Sequence, residues 1–362
     1  MRDLVRKFSI VICLVIIGFA AVFYILEFMK PNSKTAQSPQ KPQHYQVVNN
    51  QDYSRGNYQY VPVYKQGDNF PNALHTIRGE GHSDFITQYF LPTYTSRYFQ
   101  MNDENHRLMR NPQSVVLHGQ YAYVMYTFYG GSDTGFVVRY DLKKLQQLGF
   151  NLPGYMSKFR HSKTQLDGIK IGPIFKTGHG QSLAYNPKNK QMWFVKQNGF
   201  KPVVQRLDMD TLKPMQEVKV KINSSGPVPM GMVLAFDKRG NAYFYSITHH
   251  GIAPKGSVKI YRGQISDNDV QFKLIPQVIR YAPGTVPQSL AYNAQNNNLY
   301  LVSNGGIMRI PVSKLGHLKK SDVRTIITDG HREFEGLSFE DGKGMLLVNR
   351  GPELMRMTNP NF

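Results

Sequence analysis

What most constrains the fold of this chain is an internal repeat. Gly180-Gln181-Ser182-Leu183-Ala184-Tyr185-Asn186 leads into Gln191-Met192-Trp193-Phe194-Val195, and 107 residues later Pro287-Gln288-Ser289-Leu290-Ala291-Tyr292-Asn293 leads into Asn298-Leu299-Tyr300-Leu301-Val302. Each copy is a polar pair, an alternating apolar stretch, a turn rich in Asn, Lys and Gly, and a second apolar stretch. Alternation at a period of two predicts β-strands. Three further copies follow the same plan: Pro112-Gln113-Ser114-Val115-Val116-Leu117, Met232-Val233-Leu234-Ala235-Phe236-Asp237, and Glu335-Gly336-Leu337-Ser338-Phe339-Glu340.

With Gln113 as the reference position, the equivalents are Gln181, Met232, Gln288 and Glu335, at spacings of 47 to 68 residues. That period is close to the period of propeller blades, each a four-stranded antiparallel sheet. The expected fold is all-β, a five-bladed β-propeller. In the second copy the strands fall at 182–185, 192–196, 203–207 and 217–222, with Asp208-Met209-Asp210-Thr211-Leu212 as a hairpin turn. The first copy is longer because residues 142–148 read as a short helix followed by a loop. The last has room for three strands only, and a ring must close or leave an exposed edge. Residues 58–64 alternate and precede the first repeat, so they are the expected closing strand; Pro62 restricts them to a sheet edge. Six blades, with a degenerate one inside residues 65–111, is the alternative.

The N-terminus is expected to lie outside this fold. Arg2, Arg6 and Lys7 precede an uncharged run at residues 8–26, about long enough to cross the roughly 30 Å of bilayer hydrocarbon. Glu27, Phe28 and Met29 stand where a small-residue cleavage site would be needed, which favours a signal anchor over residues 1–29 rather than a cleaved signal peptide. The expected arrangement is a single membrane pass through residues 8–28 with the bulk of the chain extracellular; secretion after cleavage is the alternative. Residues 30–57, with Pro31, Pro39 and Pro42 among Gln, Asn, Ser and Lys, read as a flexible stalk, leaving residues 58–362 for the propeller. Cys13, within the apolar run, is the single cysteine, so the exported part has neither a disulfide framework nor a thiolate metal site.

A formal net charge of +20 is spread along the exported part. Such a field concentrates anionic polymers, and outside a bacterial membrane these are teichoic acids, anionic lipids and charged polysaccharides. A high isoelectric point is equally a compositional habit of some secreted proteins. No nucleic-acid motif is present, and no cofactor motif.

Antiparallel strands put the start of each first strand and the end of each second strand on one face. That face collects His179, Gln181, Gln288, His331, Glu335 and Gln113 from one set of loops. From the other set come Gln197, Asn198, His249, His250, Asn304, Asn349 and Arg350. Amides, imidazoles and a guanidinium around a concave mouth suit hydroxyl-rich or anionic ligands. The ligand candidates are His179, Gln181, Gln288, Asn304, His331, Glu335 and Arg350. The competing role for the repeated Gln-Ser pair is structural, bonding backbone groups of neighbouring blades.

Glycoside cleavage needs two carboxylates facing one bond. Of the five equivalent positions only Glu335 is acidic, so it is the candidate if the chain is an enzyme. Glu333, two residues away on an extended strand, would point the same way at about 7 Å. His249 and His250 are adjacent and face opposite ways on an extended chain, and no spacing fits a metal site.

At Gly178-His179-Gly180-Gln181-Ser182-Leu183 and Glu333-Phe334-Glu335-Gly336-Leu337, the chain resembles secreted proteins of lactic-acid bacteria of the helveticin J type, large heat-labile bacteriocins. The resemblance covers roughly residues 110–357. It implies a surface or cell-wall interaction module in a Gram-positive bacterium, although a tethered chain departs from a released bacteriocin. The expected function is a non-catalytic extracytoplasmic binding module for a cell-wall glycan or a teichoic-acid-like polymer. The alternative is a propeller glycoside hydrolase acting on a surface polysaccharide.

Overall fold

The computed structural model describes residues 46–50, 65–80, 83–92, 111–128, 133–155, 167–224, 228–248, 253–284, 286–329 and 331–362. The expected anchor, the stalk, and the pair His249 and His250 lie outside them. Among the described residues no helix is long and apolar enough to cross a membrane.

The structure is all-β, and its strands group into five antiparallel units that follow the repeat. The first unit is Pro112–His118, Tyr121–Thr127, Thr134–Asp141 and Ile169–Ile171, with Phe175–Lys176 also paired to its third strand. The second is Ala184–Asn186, Gln191–Gln197, Val203–Leu207 and Pro214–Asn223; the third is Ala235–Phe236, Ala242–Ile247, Val258–Ile265 and Val270–Ile279. The fourth is Pro287–Asn293, Asn298–Ser303, Gly306–Pro311 and Arg324–Ile327. In the fifth, Phe334–Glu340, Lys343–Val348 and Glu353–Met357 are followed by Phe85–Phe90 and then Thr76–Ile77 from the N-terminal side.

The local reasons are those of hairpins. Asp208 accepts from the backbone N–H of Asp210 and Thr211, and Leu212 takes a positive φ of 60°, closing the expected turn of the second unit. The helix Leu142–Gln147 starts at Asp141, whose carboxylate accepts from the Lys144 N–H, and it buries Leu145.

Five apolar clusters form the core, and each is shared by two consecutive units. Val116, Met125, Leu183 and Phe194 join the first and second; Trp193, Val204, Phe244 and Tyr261 the second and third; Tyr243, Ile260, Leu299 and Met308 the third and fourth. Ala291, Tyr300, Leu337 and Met355 join the fourth and fifth, and Tyr89, Leu354, Val124 and Tyr140 the fifth and first. The first strands touch in the same cyclic order, with Phe334–Glu340 lying beside Pro112–His118. Outer strands of the second and third units also pair in parallel, Val220–Asn223 against Val270–Lys273, and Gln46–Val48 adds to the latter strand.

Closure comes from before the first repeat, but through Phe85–Phe90 rather than residues 58–64, which lie outside the described residues. The reason is positional. Phe85–Phe90 is paired on both sides, to Glu353–Met357 and to Thr76–Ile77, and a proline cannot serve a strand that donates on both edges. Phe85, Tyr89 and Phe90 are buried, as an interior strand requires. Because residues 76–90 are used this way, the described part of 65–111 builds no sheet of its own, against the six-blade alternative.

Candidate functional site

The repeat's polar position is where the ladders slip. Register shifts fall between Pro112 and Ser114, between Pro287 and Ser289, and between Phe334 and Gly336, so Gln113, Gln288 and Glu335 each occupy a β-bulge. A bulge re-aims its side chain out of the ordinary alternation. Gln181 precedes the short strand Ala184–Asn186 and reaches the same place.

These side chains meet. The Gln181 amide donates to Gln288 Oε1 and lies against the Glu335 carboxyl. All three residues are buried, Glu335 to 1% exposure. Asn349 ties the cluster to its surroundings, donating through Nδ2 to Glu335 Oε1 at 3.0 Å, to Asn111 Oδ1 at 3.0 Å and to Glu333 Oε2 at 3.3 Å. Gln113 donates to the Pro112 carbonyl at 3.0 Å. Two buried acceptors in this cluster, Glu335 Oε2 and Gln181 Oε1, have no hydrogen-bond partner.

The electrostatics follow from burial. Desolvation, with repulsion from Glu333, pushes the Glu335 carboxyl well above the usual range, and Asn349, Gln181 and Arg350 offset only part of that. Desolvation also raises Glu333, opposed by Arg350, whose Nε lies 3.4 Å from Glu333 Oε2. The two carboxyls share one amide donor, closer company than a flat strand would give, because the bulge turns Glu335 toward Glu333.

Of the expected ligand residues, the structure brings Gln181, Gln288 and Glu335 together but inside the protein. Asn304 is also buried, its Oδ1 accepting from the Phe334 N–H at 2.8 Å. His179, His331 and Arg350 are exposed. Desolvation lowers the His179 imidazole pKa, partly offset by Asp133. The serines that follow the glutamines bond backbone: Ser114 Oγ donates to the Gly180 carbonyl at 2.6 Å, and Ser182 Oγ accepts from the Val195 N–H at 2.6 Å.

Sequence reasoning missed a second buried cluster beside this one. Glu353, fully buried, accepts from Thr87 Oγ1 at 2.6 Å and pairs with His75 Nδ1 and with Arg332 Nη1, each at 2.9 Å. Arg332 also donates to the carbonyl of Gly351 at 2.6 Å. Arg332 stands next to Glu333 and Glu353 near the end of the last repeat, but nothing in the repeat pointed to His75. Among the described residues no group of three or more His, Cys, Asp or Glu side chains is arranged to hold a metal ion.

At the other end of the first strands lies a cavity of about 490 Å³. Its wall is Val115, Leu117, Leu183, Leu234, Leu290 and Leu337, and its rim is the five turns that connect first to second strands. None of the expected ligand residues lines it.

The chain matches no described protein family and no curated protein. Among solved structures it is similar to a virginiamycin B lyase from Staphylococcus aureus (12% identity, TM-score 0.36, 81% of this chain and 82% of that one). It is also similar to an exo-β-1,3-galactanase from Clostridium thermocellum (10% identity, TM-score 0.40, 71% of this chain and 60% of that one). A nidogen/laminin complex is a further neighbour, at 11% identity and a TM-score of 0.36 over 76% of this chain and 86% of that one. Likeness this distant carries no argument about activity.

Proposed function

We propose that this chain is a five-bladed β-propeller, membrane-anchored and extracytoplasmic, that binds a cell-wall glycan or teichoic-acid-like polymer without catalysis. The propeller reading is supported by five units of four or five strands, five inter-unit cores and a cyclic order of first strands. The binding reading is carried by Arg350. It is exposed, and its φ of 58° lies in the left-handed region that an unbranched glycine adopts at lower cost. The guanidinium pairs with Glu333 on one side and is otherwise open to solvent, so an exposed cation kept in a costly backbone conformation at the mouth supports use there. With His179 and His331 it gives that face donors for hydroxyls and anionic oxygens, within a chain of net charge +20.

One observation favours hydrolysis instead: Glu333 and Glu335 are paired carboxyls in different surroundings, the arrangement from which acid and base roles arise. Against it, Glu335 is closed off from solvent and bound to Asn349, so no substrate bond reaches it as the side chains stand.

The test is retention of the full chain on purified wall fractions across a salt series, with released sugar assayed in the same samples. Retention that weakens with salt and releases no sugar is the expected outcome. Sugar release abolished by Glu335→Gln would replace this reading with the hydrolase.

A further inference from the structure

We propose that the cavity at the opposite end of the first strands is a second binding site, distinct from the mouth, that takes one neutral sugar residue or small glycoside. The inference rests on the cyclic arrangement of the five units and not on polymer binding at the mouth.

The site is preformed. Its rim turns hold one another around the circle. The His118 and Tyr185 rings pack at 4.1 Å, tilted by 31°, between the first and second units, and a side chain on Gly240 would meet Lys188 between the second and third. The Lys238 backbone faces the Tyr292 hydroxyl between the third and fourth. Gly342 lies tight against Gln295 between the fourth and fifth, and Glu340 accepts from the Gly119 N–H at 2.7 Å to complete the ring. A rim pinned at every joint loses little freedom on binding.

The chemistry of the walls selects the occupant. Leu117, Leu183, Leu234, Leu290 and Leu337 present an apolar surface. Each first strand is the inner edge of its sheet, paired to its second strand alone, and serines of the neighbouring unit take some of its edge groups, Ser338 Oγ accepting from the Leu117 N–H and Ser114 Oγ from the Leu183 N–H. At the rim stand flat rings, Tyr185 with His118, and the polar ends of Gln295, Lys238, Glu340 and Asp341, which mix both signs. An acyl chain would leave the rim's Gln295, Lys238 and Asp341 without partners, and an anion would meet Glu340 and Asp341 as well as Lys238. A pyranose has apolar C–H faces for the leucines and rings and a girdle of hydroxyls for the polar rim, and it carries no charge. The volume is within the range of small-ligand sites, about 300–1,000 Å³.

The test is ligand-observed NMR of the full chain in detergent with methyl and para-nitrophenyl glycosides of glucose, galactose and N-acetylglucosamine. Decanoate and para-nitrophenol serve as apolar probes. Saturable binding of at least one methyl glycoside is expected. Ala294→Trp, at an exposed turn on the rim, should weaken it by about tenfold or more with an unchanged thermal midpoint, and Tyr185→Ala should weaken it too. No saturable glycoside binding overturns the proposal, as does binding that survives Ala294→Trp. Decanoate or para-nitrophenol binding as tightly as the best glycoside overturns the sugar assignment. Wall-polymer retention of the same preparations separates the two sites: its loss with glycoside binding intact removes the mouth reading alone.

Discussion

His75 Nδ1 lies 2.9 Å from both carboxylate oxygens of Glu353, across 278 residues of sequence, and this pair holds the N-terminal segment to the last unit. Glu353 sits on the third strand of that unit, and Thr87, which also donates to it, sits on the closing strand Phe85–Phe90. Closure therefore joins a ladder of backbone bonds to a buried charge cluster.

This pair predicts a pH dependence. The Glu353 hydrogen bond raises the His75 pKa above 6.5, against burial and the nearby Arg332. A folded-state pKa above the unfolded one gives stability that is complete below about pH 6.5 and is lost as pH rises through the folded value. Thermal midpoints should fall through that window, and His75→Asn should flatten the fall. An equally steep fall in the variant would remove His75 as its source.

Breaking the cluster from its other side is more costly. Glu353→Ala leaves Arg332 and His75 without their shared carboxylate in the interior, at about 3–5 kcal/mol. Limited proteolysis should then cut within 65–90 before the rest of the chain. Cleavage that begins elsewhere would show that this segment is not held by Glu353.

At the mouth, Glu335→Gln separates a buried acid from an active one. The raised Glu335 pKa means the unfolded chain gives up this proton at lower pH than the folded one. Wild-type stability from this group is thus full below the ordinary carboxyl range and declines as pH rises toward the folded value. Gln cannot ionise, and its amide offers a donor beside Gln181 Oε1, which lacks one. The variant is expected to match wild type at low pH and to exceed it increasingly toward neutral pH, by denaturant unfolding. A variant less stable than wild type at neutral pH would sink this account.

Arg350→Gly sets stability against function. Relief of a φ of 58° favours the variant by about 1 kcal/mol, offset in part by removing the cation beside Glu333, while loss of the guanidinium should reduce retention on wall polymer at low salt. At high salt, where the charge is screened, wild type and variant should converge. Equal retention at low salt would leave the positive φ of Arg350 without a functional reason.

The five units were legible because period-two alternation and turn residues are local properties, and the inner strands carry them in Leu183-Ala184-Tyr185 and Leu290-Ala291-Tyr292. The face holding Gln181, Gln288 and Glu335 followed from strand direction alone. Burial did not. Glutamine at a repeated position reads the same whether it meets a ligand or another glutamine, and the bulge that turns Gln288 and Glu335 inward leaves no mark in composition. The closing strand is expected at 58–64 because that stretch alternates, whereas Phe85-Ile86-Thr87-Gln88-Tyr89-Phe90 shows no clean period of two in its sequence. Its place shows only in three dimensions, through pairing on both edges.

Ser114 carries the last prediction, and it concerns how one unit is fixed to the next. Its Oγ donates to the Gly180 carbonyl at 2.6 Å and accepts from the Leu183 N–H at 3.3 Å, so one buried hydroxyl satisfies two backbone groups of the second unit. Ser114→Ala would leave both without that partner in a place water does not reach, and the loss of a buried partner costs about 1–3 kcal/mol. Gly180, with a φ of 86° and Gln113 packed against it, has no freedom to move its carbonyl elsewhere. Ser114→Thr keeps the hydroxyl but adds a methyl in a closed space, so it should recover only part of the loss. Denaturant unfolding of the three proteins should therefore rank wild type above Thr above Ala. An Ala variant as stable as wild type would mean that the apolar cluster of Val116, Leu183 and Phe194 alone joins these two units.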